Sequence, residues 1–209
     1  MTDATHKTDL LYMDLALAWA RSQLGHTAPN PSVGCVLVKA GKVLACGATR
    51  PGGRPHAERV ALARAGEAAR GATAYVTLEP CNHHGVTSPC SEALLEAGIV
   101  RVVIGCRDPH AGTNGAGIAR LQAGGVEIVE QVRTADAIAS NAGFFHRLQT
   151  GHPLVGQAGR MRAPEAVLPL DDQRPAEVIL EHFGELGINR LAVPHDHSRL
   201  DALLKLQRP

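Results

Sequence analysis

The chain has 209 residues, 44% of them apolar and 20% charged, a length and balance that exclude both a disulfide-stapled mini-protein and a disordered segment. Lys and Arg number 21 against 20 Asp and Glu, a net +1 with neutral histidines, and aromatics are only 3%. Neither a basic field for a polyanion nor a row of platforms for base stacking is available, so no nucleic-acid partner is expected.

The predicted elements alternate. Leu10–Leu24 carries apolar residues at helical spacing, with Gly25 as the stop. After the Pro/Asn-rich loop TAPNPSVG, two short apolar runs around Ala40-Gly41-Lys42 read as a β-hairpin. A Gly/Pro loop then leads into an Ala-rich helix from about Ala57 to Ala69. TAYVTLEP is a strand, SPCSEALLEAGIV a helix ending near Gly98, and RVVIGCRDP a strand whose unbroken apolar core predicts burial on both faces. A helix over IARLQAGG and a strand over VEIVEQV complete the set. The expected fold is α/β: a three-layer α/β/α sandwich on a mixed, mostly parallel sheet, over residues 1–150. Residues 151–209 open with a Pro-rich stretch read as linker, followed by a helix in AEVILEHFGELG and a short strand in INRLAVP. So short a tail is marginal for a core of its own and is expected to pack on the first domain or on another chain.

Five cysteines cannot all pair, and eleven histidines beside them make metal ligation at least as good an explanation as disulfides. MTDATHKTDL lacks the basic-then-apolar order of a secretory signal, and no uncharged apolar run approaches the ~18 residues of a membrane span. The expected compartment is the cytoplasm, where thiols stay reduced, with no membrane partner.

The chemistry-bearing group is His56-Ala57-Glu58 at one helix start and Pro80-Cys81 with Cys90 at another. One imidazole and two thiolates form a three-ligand set for zinc, leaving a fourth position open for water. Both cysteines lie near a helix start, which favours the thiolate. Glu58, two positions after His56, projects away from the ligand set and is suited to carry protons. This is the H-x-E…P-C pattern of zinc nucleobase deaminases, with one departure: eight residues separate Cys81 from Cys90. The insert, NHHGVTSP, consists of turn-formers able to bring the chain back. Cys35, Cys46 and Cys106 fall in apolar runs and read as core thiols. Asn114-Gly115-Ala116-Gly117 reads as a turn, and His195-Asp196-His197 as a solvated loop rather than a second metal site.

APNPSVGCVLV, HAERVAL, AYVTLEPCNHHGVTSPC, RVVIGCRDP and GTNGAGIARLQAGGVEIV resemble the deaminase domain of the bifunctional riboflavin-biosynthesis pyrimidine deaminase/reductase family. The resemblance runs over residues 9–150. It implies hydrolytic loss of the exocyclic amino group from a diaminopyrimidinone ribosylamino phosphate, a small-molecule substrate. It further implies Zn2+ on His56, Cys81 and Cys90, Glu58 as acid and base, and Asn30 orienting the pyrimidine. The family's habits imply a homo-oligomer, dimer or tetramer.

The pattern is broken where the family holds the sugar phosphate. Gly47-Ala48-Thr49 stands in place of a histidine at the hairpin exit, Val86 in place of a cation in the insert, and His110 in place of an asparagine after Asp108-Pro109. Thr49, His83, Val86, Thr87, Asp108 and His110 are therefore the candidate peripheral substrate contacts. Losing a charge-assisted phosphate bond, worth roughly 1.5–3 kcal/mol, suggests a dephosphorylated or related pyrimidine of a specialised, toxoflavin-like pathway. Against it stands ordinary drift, with Arg50, Arg54, His83, His84 or His110 supplying the contact. The tail resembles one helix–strand unit of the family's reductase. Gln157-Ala158-Gly159-Arg160 and Val193-Pro194-His195 replace its expected motifs, so no NADPH binding is expected. The rival readings are a deaminase of a free base, nucleoside or tRNA adenosine, and a retired deaminase fold used as a scaffold.

Overall fold

The computed structural model describes residues 3–84, 88–109 and 114–207. Its contacts gather into two compact units. One comprises residues 1–23, 32–50 and 54–140; the other comprises residues 24–31, 51–53 and 141–209.

In the first unit α1 (Asp3–Arg21) precedes the hairpin β1 (Gly34–Lys39) and β2 (Lys42–Ala48). Then come α2 (Ala57–Ala65), β3 (Thr73–Leu78), α3 (Cys90–Glu96), β4 (Arg101–Cys106), α4 (Ala116–Ala123), β5 (Glu127–Val129) and α5 (Thr134–Ser140). The strands form one sheet in the order β2-β1-β3-β4-β5. β1 is antiparallel to both of its neighbours while β3, β4 and β5 are parallel, so β1 alone runs against the other four. The hairpin turns at Ala40 (φ 48°) and Gly41 (φ 75°), the two left-handed residues that match the twist of paired strands.

Helices cover both faces, α1 and α5 on one and α2, α3 and α4 on the other. Two strand glycines on opposite faces of the hairpin admit them. A Cβ on Gly34 would lie 1.9 Å from the Ala16 carbonyl oxygen of α1, and one on Gly47 would lie 2.3 Å from the Ala57 carbonyl oxygen of α2. The core between the layers includes Met13, Leu17, Val36, Leu37, Val76, Leu94 and Ile104, each no more than 1% exposed.

A polar clamp binds α1 to the sheet. Buried Asp9 accepts two guanidinium N–H groups from Arg101 at 2.9 and 2.8 Å and the Tyr75 hydroxyl at 3.0 Å, while Arg101 also reaches Glu127 at 3.0 Å. Burial pushes Asp9 up, but the hydrogen bonds from Arg101 and Tyr75, with the Arg101 charge, outweigh it and hold the carboxyl below its ordinary value.

The second unit contains α6 (Ala142–Thr150), β6 (Leu154–Gln157), β7 (Ala166–Val167), α7 (Ala176–Glu185), β8 (Arg190–Val193) and α8 (Leu200–Lys205). Its all-parallel sheet has the order β6-β8-β7. α7 points Ala176, Ile179, Leu180 and Phe183 inward at helical spacing, against Val155, Leu168, Leu191, Val193 and Leu203.

Several expectations are corrected. α1 starts at Asp3 instead of Leu10, its polar first turn including a Thr8 hydroxyl bond to the Ala4 carbonyl at 2.9 Å, and it ends at Arg21. α2 stops at Ala65 because Gly66 takes a positive φ, and a short 3₁₀ turn follows. The supposed linker holds β6 and β7, and α5, α6 and α8 had no expected counterpart. The tail also has a core of its own, contrary to the expectation from its length. Among the described residues, no helix is long and apolar enough to cross a membrane.

Candidate active site

The site lies at the carboxyl end of β3, the end of a parallel strand where open α/β sheets place ligands. Three residues past that end comes Cys81. His56 caps α2 in an extended conformation, and Cys90 is the first residue of α3. The Nδ1 atom of His56 stands 3.6 Å from the Cys81 sulfur and 3.4 Å from that of Cys90. All three ligand atoms lie within 4.8 Å of one another, and they are the only such His/Cys/Asp/Glu group among the described residues. With bonds of about 2.3 Å to thiolate and 2.0 Å to imidazole, a tetrahedral ion holds nitrogen and sulfur about 3.5 Å apart, so the donor set fits zinc.

The eight-residue insert is closed at its base. The Cys90 N–H donates to the Cys81 sulfur at 3.3 Å, the Ser91 N–H to the Cys81 carbonyl at 3.2 Å, and the Ser91 hydroxyl to Asn82 Oδ1 at 2.9 Å. Arg120 of α4 ties the same corner together through Asn82 (3.4 Å) and Glu92 (3.1 Å). From α2, Arg59 donates to the Ser88 carbonyl at 2.7 Å, joining the helix that bears His56 to the segment before Cys90.

The electrostatics are those of a cation site. A hydrogen bond from Cys90, helped by His56 and the Cys90 N–H and opposed by burial, holds the Cys81 thiol down to about 4. The same contact, with burial and the Glu58 charge, pushes the Cys90 thiol up. Two thiols that compete for one proton are both relieved by a divalent ion, whose ligands must be deprotonated. The bond to Cys81 raises His56. Glu58, 3% exposed on the first turn of α2, is pushed up by burial, with His56 acting in the opposite direction. Its carboxylate is not one of the clustered ligand atoms.

The peripheral candidates fare unevenly. Thr49 is 1% exposed, and its hydroxyl accepts the Val33 N–H at 3.0 Å, bracing the hairpin. His83 is exposed. Asp108 is 9% exposed, and its N–H reaches Glu79. Asn30 belongs to the second unit, where its Nδ2 donates to the Gly53 carbonyl at 3.0 Å. Val86, Thr87 and His110 lie outside the described residues. Of the other cysteines, Cys35 and Cys106 are buried and Cys46 half-buried. His197 is not solvated as expected: it is 5% exposed, with Nδ1 accepting the Arg199 N–H at 3.0 Å and Nε2 within 3.1 Å of the Pro169 carbonyl. Both ring nitrogens are thus engaged within the protein.

The sequence reading missed Glu79. Its buried carboxylate accepts the backbone N–H groups of Asp108 (3.4 Å), Gly115 (3.1 Å) and Gly117 (3.2 Å), tying the segment that follows β4 to the residue two places before Cys81. Gly117 admits this closeness, since a Cβ there would lie 2.0 Å from the Pro80 carbonyl oxygen. The available signal was an acid at the end of an otherwise apolar strand, next to a proline and a metal ligand.

Residues 6–106 match the cytidine and deoxycytidylate deaminase zinc-binding region. The chain is 45% identical over 145 residues to the diaminohydroxyphosphoribosylamino-pyrimidine deaminase of Buchnera aphidicola, a match that covers 69% of this chain and 99% of that protein. This chain belongs to the riboflavin pyrimidine-deaminase branch of the cytidine-deaminase-like family. A second member, riboflavin biosynthesis protein RibD of Escherichia coli, is 47% identical over 147 residues, 70% of this chain and 40% of its own length. The sequence match thus spans about two fifths of the length of that relative. A deaminase/5-amino-6-(5-phosphoribosylamino)uracil reductase of Thermotoga maritima superposes with a TM-score of 0.83 at 25% identity, covering 96% of this chain and 84% of that one. The His/Cys/Cys cluster lies in the part that matches the family's zinc-binding region, and zinc is the metal it holds.

Proposed function

We propose that the protein is a hydrolytic pyrimidine deaminase that removes the exocyclic amino group of a diaminohydroxyphosphoribosylamino-pyrimidine. The observation that carries this reading is buried Glu58 two residues after His56, on the helix turn that delivers the imidazole to Cys81 and Cys90. When bound there by His56, Cys81 and Cys90, zinc supplies the activation of water at neutral pH.

Glu58 does the proton work. It accepts a proton from the attacking water as the oxygen bonds to the amino-bearing ring carbon, and it passes that proton to the adjacent ring nitrogen. The second water proton goes by way of the same carboxylate to the amine, which leaves as ammonia while the carbonyl forms. Burial suits Glu58 to the role by raising its pKa toward the range where holding and releasing a proton are both easy. Asn30 orients the pyrimidine, and Asp108 and His83 are peripheral contacts.

We read residues 151–209 as a reductase-like tail that does not transfer hydride. This is supported by the departures at Gln157–Arg160 and Val193–His195 and by the alignment of nearly the whole chain with a deaminase/reductase. A homo-oligomer in the cytoplasm completes the proposal. Ammonia release from the diaminopyrimidine without NADPH consumption is the expected result. A protein that binds zinc but releases no ammonia from it would sink the reading in favour of another amino substrate or a scaffold.

A further inference from the structure

In the second unit, the C-terminal segment holds the turn that carries Asn30. The Arg147 guanidinium on α6 donates one N–H to the Pro29 carbonyl at 2.6 Å and another to Asn189 Oδ1 at 2.8 Å. Asn189 is itself fixed: 3% exposed, it donates its backbone N–H and its side-chain N–H to the Glu165 carboxylate, and its carbonyl accepts the Leu154 N–H at 2.9 Å. Two glycines bring backbones close. A Cβ on Gly187 would meet Pro29 Cβ at 2.7 Å, and one on Gly25 would meet the Ala163 carbonyl oxygen at 3.2 Å. Within the turn, the Asn30 N–H reaches the Thr27 carbonyl at 2.9 Å and the Thr27 hydroxyl reaches the Asn30 carbonyl at 3.1 Å, beside the bond from Asn30 Nδ2 to Gly53.

The sequence Pro29-Asn30-Pro31 explains why outside support is needed. Proline has no N–H, so Asn30 supplies the one backbone donor among these three residues, and the Pro29 carbonyl is the handle by which a neighbour can hold them. A planar guanidinium can bridge that carbonyl and Asn189 together, whereas an ammonium can serve as a point donor only.

We infer that Arg147 is a positioning residue for Asn30, and that the reductase-like tail has a task in the deaminase: its Asn189 fixes the guanidinium that orients the substrate-reading turn. This rests on the proposed deaminase activity and on Asn30 touching the pyrimidine. The test uses the full chain with diaminohydroxyphosphoribosylamino-pyrimidine. Arg147→Ala is expected to raise KM about tenfold, the effect of one charge-assisted hydrogen bond, with kcat and zinc content unchanged. Arg147→Lys should give a smaller rise. Hydrogen exchange should quicken in both variants at the Asn30 amide and at the Gly52 amide, which donates to the His26 carbonyl of the same turn at 2.9 Å.

An unchanged KM in both variants overturns the inference, as does a fall in kcat that tracks loss of zinc or fold. Should the alanine variant not fold, the lysine variant decides by the same readings. Faster Asn30 exchange in a protein whose wild type releases no ammonia supports the holding of the turn and brings down the deaminase reading alone.

Discussion

Replacing Glu79 by glutamine tests whether the carboxylate behind the metal ligands holds the site together. Glutamine keeps one acceptor oxygen. With that oxygen in the Oε2 position, the Asp108 and Gly115 N–H groups keep neutral bonds, while the Gly117 N–H, now 3.2 Å from an acceptor, would face an NH2 group. Turning two charge-assisted bonds into neutral ones removes about 1 kcal/mol each, and leaving one buried N–H unmet removes about 1–3 kcal/mol more. Together these remove about 3–5 kcal/mol, offset in part because a charge is no longer buried, for a net destabilisation of about 3 kcal/mol. Urea unfolding at pH 7 can be followed through Trp19, the only tryptophan, which reports on the first unit alone. Exposed Glu67→Gln serves as the control and should stay within about 0.5 kcal/mol of wild type. A Glu79→Gln protein that also stays within about 0.5 kcal/mol would refute the assignment.

Asp9→Asn should destabilise the first unit by about 3 kcal/mol at pH 7, since it removes the buried carboxylate that accepts two Arg101 N–H groups and leaves the half-buried guanidinium with exposed Glu127 alone. Because the Asp9 carboxyl lies below its ordinary value in the fold, its contribution is complete above the unfolded value of about 3.9 and fades as pH falls through the lower folded value. The gap between wild type and variant should therefore close below about pH 4 in unfolding titrations; a gap that widens toward acid contradicts the clamp. Val86, standing where the family pattern leads one to expect a cation, predicts that kcat/KM for the phosphorylated and dephosphorylated pyrimidines differs by less than about tenfold. A preference for the phosphate above about a hundredfold would mean that other cations hold it.

The zinc ligands were legible because their chemistry is local: His-x-Glu at one helix start, and Pro-Cys and Cys at another, fix roles that the fold has only to bring together. The sheet was legible for the same reason, since β4 is built on an unbroken apolar run, β3 is rich in strand-forming residues, and Ala40-Gly41 can hardly be anything but a turn. Glu79, Arg59 and Arg147 were not legible. Each acts through a backbone group of a residue that is distant in sequence, and no periodicity marks a carbonyl or an amide waiting for a partner. β6 and β7 hid among prolines because four- and two-residue strands in a parallel sheet need few apolar positions.

The central claim is that Glu58 carries the protons of a zinc deaminase without itself holding the metal. The most direct measurement is the zinc content and ammonia-release rate of Glu58→Ala beside wild type, with diaminohydroxyphosphoribosylamino-pyrimidine as substrate. The account predicts about one zinc per chain in both proteins and a kcat lower by about 10²–10⁴-fold in the variant. Ammonia release at the wild-type rate, or loss of the zinc along with the carboxylate, would contradict it.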